Sequence, residues 1–307
     1  MKKGRRDVVV GIGDDAAVCA VPENQQLVIT TDMLVAGVHF PEDTPAHAIG
    51  YKSLAVNLSD LAAMGATPAW FTLNLSLPES EENWLEEFSD GLQELAEKSG
   101  IELVGGDTVR GPLCIGIQAC GTVPSGSAVL RSGAKAGDRV FVTGSVGDAA
   151  LGLKVERDEQ HFGTVTEDYF LRRLRYPIPR NIQGSSLINI ASAMIDISDG
   201  LIADLGHVLE RSGVGATIEL SKVPLSPDYR NSLHENGWDP ALSNGDDYEL
   251  CITVAPEHIE PLMQLASEWD CGISEIGTIE SQPGLRIIDV NGEPYEPLQP
   301  GYDHFKG

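Results

Sequence analysis

Apolar residues along the chain switch between a period of about two and a period of about three to four, and this lays out a succession of strands and helices. A short strand-like run, Val8-Val9-Val10, comes first, and residues 27–31 predict a strand leading to Asp32. Residues 48–64 predict a helix with Tyr51, Leu54, Ala55, Leu58, Leu61 and Ala62 on one stripe, which puts Ser53, Asn57 and Asp60 on an opposite, polar face. Residues 69–77 read as a strand. Ser80 is placed to cap a helix over 81–98, with Trp84, Leu85, Phe88, Leu92 and Leu95 on one side and Gly100 at its stop. Strands are expected at 101–104 and 113–123.

Residues 124–138 carry Pro124, Gly126, Gly133 and Gly137 and predict a domain boundary. The expected division is residues 1–136 and residues 137–307. Beyond it, strands are predicted at 139–143, 194–197, 216–220, 249–254, 273–279 and 285–290. Helical stretches broken at Pro177 and Pro179 are expected as far as residue 193, with further helices over 201–211 and 256–269. Asn291-Gly292 reads as a hairpin turn. The alternation predicts an α/β protein with mixed sheets.

Composition agrees with a globular chain of two cores: 307 residues, 42% hydrophobic and 22% charged. No apolar run approaches the ~20 residues that span a bilayer. The basic start is not followed by a secretory core, so a cytoplasmic protein is expected. Cys19, Cys114, Cys120, Cys251 and Cys271 contain no CxxC pair, which argues against a zinc site or a disulfide framework. The net charge of -25 disfavours nucleic acid and anionic membranes as partners.

No GxxxxGK[ST] phosphate loop or GxSxG elbow is present, and no two histidines share metal-ligand spacing on one helix. Gly144-Ser145-Val146-Gly147-Asp148 lacks the lysine of a phosphate loop and reads as a close strand-to-helix turn. Acids instead recur at element ends. They fall in Gly13-Asp14-Asp15, Thr30-Thr31-Asp32, Gly105-Gly106-Asp107, Asp196-Ile197-Ser198-Asp199 and Gly245-Asp246-Asp247. Taken singly, each could be a turn or cap residue. Asp60 resists that reading because it sits late in its helix, where the dipole disfavours an anion by ~0.3–1 kcal/mol. Glycine allows close backbone approach to phosphate and carboxylates suit Mg²⁺, so the set predicts a phosphate site with several metal ions.

At these residues the chain resembles the thiamine-monophosphate kinase family. The segments GIGDDAAV, TTDMLVAGVHF, YKSLAVNLSDLAAMGATPAW, GGDTVRGP, RSGAKAGD, IDISDGLIADLGH, GDDYEL and GYDHF occur in that family's order. The resemblance implies an aminoimidazole-ribonucleotide-synthetase-like fold of two α/β domains, with N-terminal domains pairing in a homodimer. It implies ATP-dependent phosphorylation of thiamine monophosphate to thiamine diphosphate. Carried over, Asp15, Thr30, Thr31, Asp32, Asp60, Asp107, Asp196 and Asp199 resemble Mg²⁺ ligands, with Asp32, Asp60 and Asp107 closest to the chemistry. Gly106, Asp107, Arg131 and Ser198 resemble ATP contacts, and His39, Asp246 and Tyr302 resemble substrate contacts. A monovalent cation is a further candidate.

The chain departs from the family pattern twice. The family usually begins about fifteen residues earlier, with a GEFxLI-like segment, whereas this sequence starts almost at the first strand; a misassigned or trimmed start and a lost edge are the two alternatives. It also commonly has Gly-Gly-Glu-Asp where Asn244-Gly245-Asp246-Asp247 stands here, one methylene shorter at Asp246. Two alternatives stay open on sequence: another ATP-dependent enzyme of the same architecture, of cyclo-ligase or selenophosphate-synthetase type, and a non-catalytic metal- or nucleotide-binding relative.

Overall fold

The computed structural model describes residues 5–299 and Gly301; Tyr302 lies outside the described residues. The chain begins with a small antiparallel pair, β1 (Val8–Val10) and β2 (Val18–Cys19). Next come β3 (Gln25–Val35), α1 (Ala46–Ala63), β4 (Thr67–Leu77), α2 (Glu82–Ser99), β5 (Glu102–Arg110) and β6 (Cys114–Pro124). These strands form one sheet in the order β3-β6-β4-β5. Only β4 and β5 run parallel, because α2 connects them by a crossover. Leu34, Phe71, Leu75, Ile115 and Ile117 face α1 and α2 and form that core. On the other face the side chains of Leu27, Ile29, Met33 and Val109 are exposed.

The second half contains β7 (Arg139–Thr143), α3 (Asp148–Glu156), α4 (Thr164–Arg175), α5 (Asn181–Ser186), β8 (Ala191–Asp196), α6 (Leu201–Ser212) and β9 (Gly215–Glu219). These are followed by α7 (Pro227–Asn236), α8 (Asp239–Leu242), β10 (Leu250–Val254), α9 (Ile259–Ala266), β11 (Ile273–Glu280) and β12 (Gly284–Ile288). The six strands order as β12-β9-β11-β7-β10-β8. All neighbours are antiparallel except β12 and β9. The mixed α/β architecture is the one predicted.

The α1 helix departs from the expected two-faced pattern. Only His47 and Asp60 of its residues escape burial, and Ser53 and Asn57 are fully buried. The helix is covered by the first sheet, by α2, and by α5 and β8 of the second half. Its small residues make this feasible. A Cβ on Gly50 would lie 2.0 Å from Phe88 O, and one on Gly91 of α2 would lie 1.9 Å from His47 O, so the two helices meet backbone to backbone.

Other differences are local. The N-cap of α2 is Glu81 with no side-chain bond, so Ser80 is not the cap. The helical stretch expected to reach residue 193 ends at Ser186, and β8 has already begun at Ala191. The helix predicted over 256–269 is a 3₁₀ turn, Pro256–His258, followed by α9. The pattern did not predict α7, although Ser226 caps it by accepting from Tyr229 N at 3.1 Å with Pro227 in the first turn. Asn291-Gly292 does turn the chain, held by Asp289 Oδ1 accepting from Asn291 N and Glu293 N, but only one bridge, Ile288 to Pro294, follows.

The α1–α2 contact gives a direct test. Gly91→Ala should lower stability by about 1–3 kcal/mol through overpacking, measured by urea unfolding. An unchanged midpoint would mean that the helices separate easily.

Candidate active site

The acids gather where the two halves meet. In β3 the side chains alternate, so Thr30 and Asp32 point toward α1 while Thr31 and Met33 point away. The Thr30 hydroxyl donates to the Asp60 carboxylate. One residue earlier on α1, Ser59 Oγ donates to Asp196 Oδ2 at 2.7 Å, reaching the end of β8. Asp204, in the first turn of α6, accepts from the backbone N–H groups of Ser198 and Asp199, both at 3.0 Å.

These carboxylates are crowded and short of counter-charge. Burial pushes Asp32 up to about 7, with Asp60 and Asp199 adding repulsion. Burial, then the charge of Asp60, pushes Asp196 up to about 8, against the Ser59 hydrogen bond. Burial raises Asp204 to about 7, and raises Asp60 against the opposing effects of the Thr30 hydroxyl and Arg131. Arg131 is the cation that lowers Asp60, Asp196 and Asp204, which brings this predicted ATP contact to the acids. Among the described residues no three carboxylates, imidazoles or thiols converge into a ready metal cage.

The second wall is the loop of residues 244–248. It crosses directly over β8's exit: a Cβ on Gly245 would stand 1.7 Å from Ser198 O, so only glycine fits. Asp246 N donates to Ser198 O and Tyr248 N to Ile197 O. Asp246 adopts φ 69, and both its oxygens have partners: Tyr248 Oη donates to Oδ1 at 2.8 Å, and Lys52 Nζ lies 3.0 Å from Oδ2. Beneath the loop, Glu249 is fully buried and held bidentately by Arg180 at 2.6 and 2.7 Å, with Arg173 at 3.0 Å. Asp247 accepts from Gly147 N, which joins the Gly144–Asp148 turn to the same network.

Between these walls lies a cleft of about 570 Å³. Thr31, Asp32, His39, Ser198, Asp199 and Asp246 line it, and Thr30, Asp60 and Asp196 stand close behind Asp32. Val35 N donates to His39 Nδ1 at 3.0 Å, which gives the neutral ring its proton at Nε2. Two predicted regions do not join. Asp15 is exposed in the β1–β2 connection. Asp107 is exposed too, and the ladder explains why: it pairs with Asn74, Asn74 with Gly116, and Gly116 with Met33. Asp107 therefore shares the outer face with Met33, and Asp32 occupies the inner face. Gly106, its neighbour, belongs to the Asp32 row.

Sequence reasoning did not assign Lys52, Tyr248 or Asp204. The signal for Asp204 was an acid in the first turn of a helix whose entry loop must satisfy its own N–H groups.

Comparison with known proteins decides the family. The profile of the AIR synthase related protein N-terminal domain matches residues 13–123, and that of the C-terminal domain matches residues 135–290. The thiamine-monophosphate kinase of Escherichia coli strain K12 is 45% identical over 99% of this chain and 94% of its own length. The chain belongs to the thiamine-monophosphate kinase family. The family member from Haemophilus influenzae is 42% identical over 97% of this chain and 92% of its own. The crystal structure of thiamine-monophosphate kinase from Stenotrophomonas maltophilia K279a superposes with a TM-score of 0.88 at 44% identity, covering 95% of this chain and 93% of that one. A structure described as AaThiL complexed with AMPPCP and TMP has a TM-score of 0.82 at 33% identity, with 96% and 92% coverage. The hydrogenase maturation protein HypE, at 21% identity and TM-score 0.78, shares the fold.

The raised carboxylates predict how the metal-free protein responds to pH. A carboxyl whose folded pKa exceeds its unfolded value binds its proton more tightly when folded, so stability falls as pH rises. For Asp32, Asp196 and Asp204 that window runs from their ordinary value of 3.8 to about 7–8. Thermal melts after EDTA treatment should show Tm decreasing from pH 5 to pH 8; a flat or rising profile would contradict the crowding.

Proposed function

We propose that this protein transfers the γ-phosphoryl group of ATP to the phosphate of thiamine monophosphate, in one in-line step. The observation that carries this reading is the cleft, where Asp32, with Asp60 and Asp196 crowded behind it, faces a wall carrying His39 and Asp246. An oxygen of the acceptor phosphate forms a bond to the γ-phosphorus as the bond to the bridging oxygen of ADP breaks. The products are thiamine diphosphate and ADP. A phosphomonoester's second pKa is about 6, so the acceptor is already ionised near neutrality and no strong general base is required. That suits a site with no Ser-His-Asp or Cys-His arrangement in its sequence motifs.

The obstacle is repulsion between two polyanions. One pair of like unit charges 4 Å apart opposes approach by about 4 kcal/mol at an effective dielectric of 20. The donor set fits Mg²⁺: hard carboxylate oxygens, packed until their protons are held to pH 7–8, in a pocket whose nearby cation is Arg131. On this reading Asp15, Thr30, Thr31, Asp32, Asp60, Asp107, Asp196 and Asp199 hold several Mg²⁺ ions, which when bound offset the phosphate charges. Gly106, Asp107, Arg131 and Ser198 orient ATP; His39, Asp246 and Tyr302 orient the acceptor. The number of ions, and a monovalent one beside them, belong to the same proposal.

We read the protein as a cytoplasmic homodimer with domains at residues 1–136 and 137–307. Among the described residues no helix is long and apolar enough to cross a membrane. The uncovered sheet face, with Met33 63% and Ile29 55% exposed, supports a second copy as its cover. Asp107 lies on that face, so in such a dimer it faces the partner and not its own Asp32.

Incubating the protein with Mg-ATP and thiamine monophosphate should yield thiamine diphosphate; no product from folded protein refutes the proposal. Asp60→Asn and Asp107→Asn should each lower kcat about 10²-fold or more with the fold retained. Asp60→Asn should also raise the Tm of metal-free protein at pH 8, since it removes a half-buried charge that repels Asp32 and Asp196. A lowered Tm there would show that Asp60 is structural.

A further inference from the structure

Lys52 has an unusual position for a lysine. It sits on α1 only 5% exposed, yet it lines the cleft beside His39 and Asp246. The cleft's other cationic side chain, Arg157 just beyond α3, is exposed. A buried ammonium is costly unless its donors find acceptors. Lys52 has three N–H donors, and its ionic partner among the described residues is Asp246, 3.0 Å away. That carboxylate cannot swing aside, because its other oxygen accepts from Tyr248 Oη at 2.8 Å and Tyr248 is itself buried. Asp246 thus fixes the ammonium at the cleft wall and, among the described residues, leaves donors without a further ionic partner on a surface otherwise dominated by carboxylates, hydroxyls and apolar groups.

An acidic cleft that spends a buried, fixed cation on its wall has built a place for an anion. We propose that Lys52 binds an oxygen of the acceptor phosphate, with Asp246 and Tyr248 as positioning residues that aim its Nζ. This rests on the kinase reading above. It assigns Lys52 to the acceptor and not to ATP because Lys52 stands with His39, Phe40 and Pro41, whereas Arg131 stands with Asp60 and Asp196. Val38, Phe40, Ala149, Ala150 and Leu153 then offer the acceptor's rings an apolar wall. The short Asp246 has a role here: its carboxylate is engaged by the lysine, and the lysine, not the acid, meets the phosphate.

The test compares wild type with Lys52→Met. Steady-state KM values are measured for thiamine monophosphate and for Mg-ATP, with phosphate-free thiamine titrated as a competitor. The expected result is a KM for thiamine monophosphate raised about tenfold or more, the loss of a charge-assisted hydrogen bond. Inhibition by thiamine and KM for Mg-ATP should stay within about twofold, since neither uses the lysine. Tyr248→Phe should shift the same KM in the same direction by less. If Lys52→Met does not fold by circular dichroism, Lys52→Gln, which keeps a donor toward Asp246, takes its place. Equal weakening of thiamine and thiamine monophosphate would make Lys52 structural, a change confined to Mg-ATP would place it on the nucleotide, and no change would remove it from the site; each overturns the inference. Absence of wild-type turnover instead overturns the kinase reading.

Discussion

The burial of α1 on every side is the constraint on which the rest depends. Because it has almost no solvent face, the polar groups it carries either bond back to its own carbonyls, as Ser53 and Asn57 do, or reach partners on other elements, several of which form the site. Ser59 reaches Asp196 on β8, Asp60 accepts from Thr30 on β3, Lys52 pairs with Asp246, and Leu58 O accepts from Asn181 of α5 at 2.7 Å. Small residues let the neighbours come close enough. The same packing that builds the core fixes the spacing of the chemical groups.

That arrangement is electrostatically uncomfortable, and function explains why it persists. Buried Asp196 and Asp204 lie near half-buried Asp32 and Asp60, with Arg131 as the nearby cation. A core selected for stability alone would replace them with neutral groups. Glu249 shows the contrast: there Arg180 and Arg173 both bond a buried acid, and it serves to hold a loop. The arginine-paired Glu249 beneath the cleft and the cation-poor acids at it mark the difference between a scaffold and a site awaiting cations.

Much of this was legible in the sequence. The period of apolar residues located α1 to within a few residues and β7 at its observed bounds, and the Gly-Asp and Ser-Asp motifs named most of the acids lining the cleft or standing behind it. What was hidden depends on what lies across space. Periodicity gives a helix its stripes but not what covers them, so Ser53 and Asn57 were read as polar-face residues when they are buried. Motif order does not give strand register, so Asp107 and Asp32 could be grouped although the ladder sets them on opposite faces of one sheet. Lys52 was visible as a cation inside a motif, but its role needed Asp246 and Tyr248, far along the chain. Arg173 and Arg180 carried no local signal for Glu249.

The Ser59–Asp196 hydrogen bond joins residues 137 positions apart. Contacts of such long separation carry a large loop-closure entropy and form late in folding. Each half has its own sheet and most of its own core, so each can collapse while its acids are still hydrated. Repulsion between Asp32 and Asp60 is already present within the first half, but the repulsion between Asp60 and Asp196 arises only when α1 docks against β8. The part of the site's electrostatic burden that Asp196 adds to Asp60 thus falls on the docking of the two halves and not on the nucleation of either.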